Sequence, residues 1–167
     1  MSDHDLDLRN AFRQAMRNCA STVSIVSVQN GLERHATTAT SLTSLSMDPP
    51  TILVCFTRSS RLHTFLEEAK EFCVNVLHAD NLEVSKAFSQ PLTAEARFAC
   101  GDWESGERPS PYLANAQANL FCRKEKQIAY ASHTIFIGQI IDVRLRSDPA
   151  PLLYYAGAYT LPQPSIS

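Results

Sequence analysis

Glycine is scarce in this chain, with five in 167 residues. None falls in a G-x-G-x-x-G or G-x-x-x-x-G-K-[ST] pattern, so the Gly-rich turns that cradle nucleotide phosphates in the common α/β folds are missing. No G-x-S-x-G elbow is present, which removes the α/β-hydrolase arrangement of a nucleophilic serine. The histidines (His4, His35, His63, His78 and His133) never approach metal-ligating spacings such as H-x-x-x-H or H-E-x-x-H, so no metal is expected. The cysteines (Cys19, Cys55, Cys73, Cys100 and Cys122) form no C-x-x-C pair. Cys55, Cys73 and Cys122 sit inside apolar runs and read as buried free thiols of a reducing compartment. No apolar run approaches the ~18 residues of a membrane span. The acidic opening MSDHDLDLRN lacks the charged-then-apolar order of a signal peptide. A cytoplasmic protein without membrane contact is expected. A net charge of −2 leaves no electrostatic footprint for nucleic acid.

What is present reads as one globular domain over residues 1–167. Charged residues make up 19%, below the usual ~25%, which fits a surface partly hidden in an oligomer. Ser2–Asp7 is polar and expected to fray, as is the Pro-containing tail from Thr160 to Ser167. Leu8–Cys19 places Leu8, Phe12, Ala15, Met16 and Cys19 on one helical face, with Arg9, Arg13, Gln14 and Arg17 elsewhere. Ser21–Val28 is a β-branched strand, Gln29-Asn30-Gly31 a hairpin turn, and Glu33–Ser41 its return. Thr51–Phe56, Glu71–Leu77, Ala114–Arg123, His133–Leu145 and Leu152–Tyr159 read as further strands. His63–Ala69 and Ala79–Phe88 read as short helices. Gly138, inside the clearest strand, marks a bulge or a close backbone approach. Strands dominate and connections are short, so an antiparallel sheet closing toward a small barrel follows.

The chain's centre of interest is His35–Pro50, HATTATSLTSLSMDPP. Thr37, Thr38, Thr40, Ser41, Thr43, Ser44 and Ser46 crowd it, and no Asp, Glu, Lys or Arg appears before Asp48. Hydroxyls donate and accept without charge, which suits a ligand rich in acceptors, such as a phosphate or a polar heteroaromatic ring. The same pattern also fits a Ser/Thr-rich edge strand and turn facing water. After the next strand, TRSSR (Thr57–Arg61) precedes a helix. Free N–H groups there, with Ser59, Ser60, Arg58 and Arg61, make an anion site; an ordinary serine N-cap with solvated arginines fits equally. His133 opens a strong strand behind small Ala131 and Ser132, at a barrel rim where it could touch a ligand.

Six segments in order resemble the short-chain flavin reductases, whose members feed reduced flavin to two-component monooxygenases. They are TTATSLTSLSMDPPTILVCF (Thr37–Phe56), SSR (Ser59–Arg61), FCVNVL (Phe72–Leu77), A-x-A-x-L-x-C (Ala116–Cys122), HTIFIGQI (His133–Ile140) and PLLYYAGAY (Pro151–Tyr159). Arg97-Phe98 and Trp103 fall in the family's variable middle. The resemblance spans Phe12 to Tyr159. It implies a mainly β fold, a split β-barrel of Greek-key type that binds FMN, with a few short peripheral helices. It implies transfer of hydride from NADH or NADPH to FMN or FAD, and a homodimer serving a monooxygenase component. By position, Thr38, Ala39, Thr40 and Ser41 would line the isoalloxazine ring, with Thr43 and Ser44 beside them. Phe56, Thr57, Ser59, Ser60 and Arg61 would hold the ribityl chain and phosphate. Ser85 and Phe88 would lie near the outer parts of the flavin. His133 would sit by the ring and the nicotinamide as the catalytic residue, and Tyr154 and Tyr159 would close the pocket. Ala36, Ala39 and Ala131 would leave room for the nicotinamide. Three positions depart from the family pattern: Ala131-Ser132 where Gly-Asp is frequent before the histidine, Thr57 where Asn is frequent, and Asn81 where Gln is common. Two other outcomes remain open on the sequence. One is a flavin-dependent reductase of another acceptor, such as a cobalt(II) corrinoid in cobalamin synthesis. The other is a flavin-binding module without turnover.

Overall fold

The structure, a computed structural model, describes residues 3–163. A helix, α1 (Asp3–Arg17), leads into β1 (Ser21–Thr22), β2 (Ser24–Asn30), β3 (Glu33–Ala39), β4 (Thr43–Met47) and β5 (Pro50–Thr57). Then come α2 (Arg61–Glu68), β6 (Glu71–Val76), a 3-10 turn at Ala79–Asn81, α3 (Leu82–Ser89), α4 (Ala94–Phe98), β7 (Trp103–Glu104) and β8 (Tyr112–Leu113). The long strands β9 (Ala118–Tyr130) and β10 (His133–Leu145) precede β11 (Leu153–Tyr155) and β12 (Ala158–Thr160).

Seven strands form one antiparallel sheet in the order β3-β2-β6-β9-β10-β5-β4, with β1-β11-β12 as a small second sheet and β7-β8 as a ribbon. One buried cluster draws side chains from nearly the whole main sheet: Ala39 of β3, Val26 and Val28 of β2, Phe72 and Val74 of β6, Cys122 of β9, Phe136 of β10, and Val54 and Phe56 of β5. Strands at opposite ends of a sheet can share one core only if the sheet curls, and this gives the split-barrel shape without full closure. Leu62 and Leu66 of α2 plug the same core. Burying each such side chain contributes about 1.5–3 kcal/mol. A second cluster, with Ile25, Leu77, Phe88, Phe98, Leu113 and Leu152, lies under α3, α4 and the small sheet. Gly138 is both a register shift and a close approach: a Cβ there would lie 2.6 Å from Phe72 and 2.9 Å from Cys122.

Several elements differ from the sequence expectation. The helix begins at Asp3, so residues 3–7 are helical rather than frayed. The strand expected over Ser21–Val28 breaks at Val23, where the chain passes between sheets: Val23 N–H donates to Leu152 O at 2.9 Å and Val23 O accepts from Leu77 N at 2.9 Å. Leu152–Tyr159 is a hairpin, not one strand, because Ala156 and Gly157 both take positive φ (52° and 86°). β9 starts at Ala118 and runs on through the charged segment to Tyr130, since β10 supplies a partner along it. The variable middle around Arg97-Phe98 and Trp103 holds α4 and β7. Thr160 belongs to β12, while 164–167 lie outside the described residues.

Candidate functional site

The hydroxyl stretch divides between an edge strand and the wall of a cavity. Thr43 and Ser44 belong to β4, an exposed edge strand paired with β5 through Thr43–Leu53 and Ser44–Ile52. Upstream, Ser41 lies beside β5 just beyond the end of that pairing. Its Oγ donates to Cys55 O at 3.0 Å and accepts from Cys55 N–H at 3.2 Å. A serine side chain thus takes the place of a strand residue, which works because a hydroxyl is donor and acceptor at once. Ala39 is buried, Thr38 half-buried and Thr40 exposed.

β5 ends at the rim. Phe56 points into the core and Thr57 pairs with His133 at the first position of β10. The Thr57 and Ser59 hydroxyls are 3.1 Å apart. Ser60 caps α2: its backbone is extended and its Oγ accepts from His63 N–H at 3.2 Å. Arg61 is exposed at the first turn, with its guanidinium 5.9 Å from the Phe65 ring. The helix is fixed to the barrel by the buried His63, whose Nε2 shares a 2.8 Å hydrogen bond with Thr134 Oγ1.

The β9–β10 turn is clamped from below. Arg58 N–H donates to Ser132 O at 2.9 Å, and the Arg58 guanidinium donates to Ala131 O. Ala131 has φ +49°, a left-handed conformation that costs a residue with a Cβ about 1–2 kcal/mol. Ser132 Oγ lies 2.9 Å from His133 Nδ1. That contact fixes the ring and leaves Nε2 directed away from it, and the imidazole is exposed.

Behind the hydroxyl stretch lie two adjoining cavities. One, of 340 Å³, is walled by Val23, Thr38, Thr40, Ser89, Tyr154 and Tyr159. The other, of 610 Å³, shares Thr40 and Tyr154 and extends past Ser41 under α1. Tyr154 and Tyr159 meet edge to face at 5.4 Å, and Tyr159 OH reaches the buried Ser85 Oγ at 3.0 Å. On the other side of the Arg61 loop a 390 Å³ cavity lies between Arg34, Arg61, Phe65 and Phe98. His35 is buried and stacked on Phe65 at 5.4 Å. Burial first, then the charges of Arg97 and Arg61, hold its pKa down at about 4.

The expected residues therefore fall into two groups. Thr57, Ser59, Ser60, Arg61 and His133 gather at the rim. Thr38, Thr40, Ser41, Tyr154 and Tyr159 line the cavities, and the Ser41–Cys55 bonds join the two groups. Phe56 and Phe88 are core residues, the latter packed 5.4 Å from Phe98 and 5.1 Å from Trp103. Ala36 is also buried, beneath Arg97, so it lines none of the three cavities just described. Sequence reasoning missed the roles of Arg58 and Ser132 in holding the turn, and the presence of α1 side chains over the cavity. The donor set of neutral hydroxyls, free helix-start N–H groups and a guanidinium fits a polar ring with a phosphorylated tail. No cluster of metal-ligating side chains occurs among the described residues.

Known proteins share this architecture. The flavin reductase like domain matches residues 16–161. The chain is 36% identical over 156 residues to the reductase component of an FADH(2)-dependent resorcinol hydroxylase from Rhizobium sp., covering 92% of this chain and 87% of that one. It is 35% identical over 159 residues to an NADH:riboflavin 5'-phosphate oxidoreductase from Streptomyces pristinaespiralis, covering 93% and 89%. Among solved structures, the NADH:FAD oxidoreductase of Streptomyces globisporus, determined with NAD and FAD fragments, superposes with a TM-score of 0.88 at 28% identity, covering 95% of each chain. A match that runs through both sheets and the whole rim leaves one conclusion: this chain belongs to the flavin reductase-like domain family.

Proposed function

We infer that this chain is an NADH-dependent flavin reductase that transfers hydride from the nicotinamide to FMN or FAD and supplies reduced flavin to a monooxygenase partner. The observation that carries this reading is the rim itself. Thr57 pairs with His133, and the Ser59 hydroxyl, the Ser60-capped start of α2 and Arg61 follow it directly in the chain. Bound flavin supplies the hydride-accepting ring, so the protein needs to bind, orient and exclude water rather than provide an acid–base pair. Thr38, Ala39, Thr40 and Ser41 line the ring, with Thr43 and Ser44 at its margin. Thr57, Ser59, Ser60 and Arg61 hold the ribityl chain and phosphate, with α2 directing its N-terminus at the anion. His133, steadied by Ser132, faces the nicotinamide side. Phe56, Phe88 and Ser85 act from behind, by keeping the wall rigid.

The working unit is a homodimer. The outer sheet face carries cross-strand rows of half-exposed apolar groups, Cys55–Ile135–Ile128 and Leu53–Ile137, with exposed Leu45 beside them. A second copy covers such a face. No helix among the described residues is long and apolar enough to cross a membrane. The free cysteines fit the reducing cytoplasm. The test is anaerobic NADH oxidation by the purified protein, titrated with FMN and then with FAD. Turnover that saturates in free flavin is expected. Absence of flavin binding to the intact protein would overturn the reading.

A further inference from the structure

Helix α1 stands away from the barrel. Leu8, Phe12 and Met16 are exposed, and the end of the helix is tied down where Arg17 O accepts from Ala156 N–H at 2.8 Å. The Arg17 guanidinium lies against the bare Cα of Gly157, with no room for a side chain there. Between helix and barrel is the 610 Å³ cavity, and Arg9, Arg13 and Arg17 all line it. Their spacing of four places them in one stripe, where like charges repel. None of the three makes an ion pair with a carboxylate of the barrel among the described residues. A concentration of guanidinium groups kept at that cost suits an anion, and the forked N–H geometry suits phosphate oxygens in particular.

The rest of the lining narrows the ligand. Phe12, Met16 and Tyr154 are apolar walls fit for a flat ring. Thr40 and Tyr154 line both this cavity and its smaller neighbour, so a molecule under α1 lies against the ring-lining segment. Flat ring plus phosphates plus reach to the flavin wall describes a dinucleotide. We propose that the α1 cavity binds the diphosphate and adenosine half of the nicotinamide donor, with Arg9 and Arg13 on the phosphates. This assignment rests on the reductase reading. It adds the place of the donor's non-reacting half, which holds the nicotinamide against the flavin by binding energy remote from the chemistry.

The test uses the full-length protein carrying Arg9→Ala and Arg13→Ala. Alanine is the best helix former, so α1 is retained. Two donors are compared: NADH, and reduced nicotinamide riboside, which has no phosphate. Expected are a rise of at least tenfold in KM for NADH, an unchanged KM for the riboside, unchanged kcat with the riboside, and unchanged FMN affinity by fluorescence titration. Lysine at both positions should recover part of the NADH affinity. An unchanged KM for NADH would overturn the proposal while leaving the reductase reading intact. Lost FMN affinity would move the arginines to the flavin phosphate and overturn it as well. A change in mass by light scattering, with both donors equally impaired, would assign the helix face to a second copy of the chain. If the wild-type protein with flavin oxidises neither donor, the reductase reading itself fails.

Discussion

Replacing His35 with leucine should flatten the acid side of the stability profile. His35 pairs with Val28 across β2 and β3, stacks on Phe65, and is 8% exposed. Its pKa is lowered from 6.5 to about 4, first by burial and then by Arg97 and Arg61. The native state therefore binds fewer protons than the unfolded chain between these two values. Stability is complete above about pH 6.5 and falls as the pH drops toward 4. At 1.36 kcal/mol per pKa unit the full effect is ~3 kcal/mol, and about 2 kcal/mol of it has developed by pH 5. Arg61 is exposed and its field is screened by water, which brings the expected loss at pH 5 to about 1 kcal/mol. Urea unfolding at pH 7 and pH 5 reads this directly. With a slope of about 1–3 kcal/mol per molar, the wild-type midpoint should fall by roughly 0.3–1 M more than that of the His35→Leu protein. The comparison cancels the contributions of the other histidines, which both proteins share. Parallel pH dependences in the two proteins would refute the reasoning, and would mean that His35 reaches water or an acceptor when protonated.

Two other perturbations test the frame and the rim. Asn75 is fully buried: its Nδ2 donates to Ile25 O at 2.9 Å and contacts Ser27 Oγ at 3.0 Å, while its Oδ1 accepts from Leu113 N–H at 2.8 Å and Asn119 Nδ2 at 2.9 Å. Asn75→Ala leaves several buried groups unpaired at about 1–3 kcal/mol each, so denaturant unfolding should show a loss of ~4 kcal/mol, and a loss below ~1 would contradict the network. Arg58→Ala should lower kcat/KM for NADH by about tenfold with little change in flavin affinity, because the turn before His133 loses its side-chain clamp. Adding Ala131→Gly should restore much of that rate, since glycine takes the +49° φ without the clamp; no recovery would separate Arg58 from the turn.

The parts of this fold that were legible in the sequence are those set by local patterning. The boundaries of β10 were readable because His133–Leu145 is rich in β-branched and apolar residues and holds no proline. The β2–β3 hairpin was readable because Asn30-Gly31 supplies a turn with positive φ at Gly31. Illegible were the elements that exist only because a distant strand supplies a partner. Lys124–Tyr130 is too charged to read as a strand, yet β10 pairs with it; Val23 is an ordinary strand residue whose break comes from Leu77 and Leu152.

The same distinction governs the site. Composition marks Thr38–Ser44 and Thr57–Ser60 as hydroxyl-rich, but a hydroxyl completing a strand or capping a helix is written in the same letters as one awaiting a ligand. What separates them is whether the fold has already satisfied the group. Ser41 spends its hydroxyl on both backbone atoms of Cys55, and Ser60 spends an acceptor on His63 N–H. These two are first of all structural and shape the rim. Thr40 and Ser59 are exposed, and the Ser59 hydroxyl lies 3.1 Å from that of Thr57. They are among the hydroxyls that complete no strand and cap no helix in the described residues. Their truncation should therefore weaken flavin binding at little cost to folding, whereas truncation of Ser41 should cost both, by opening the edge of β5 at Cys55.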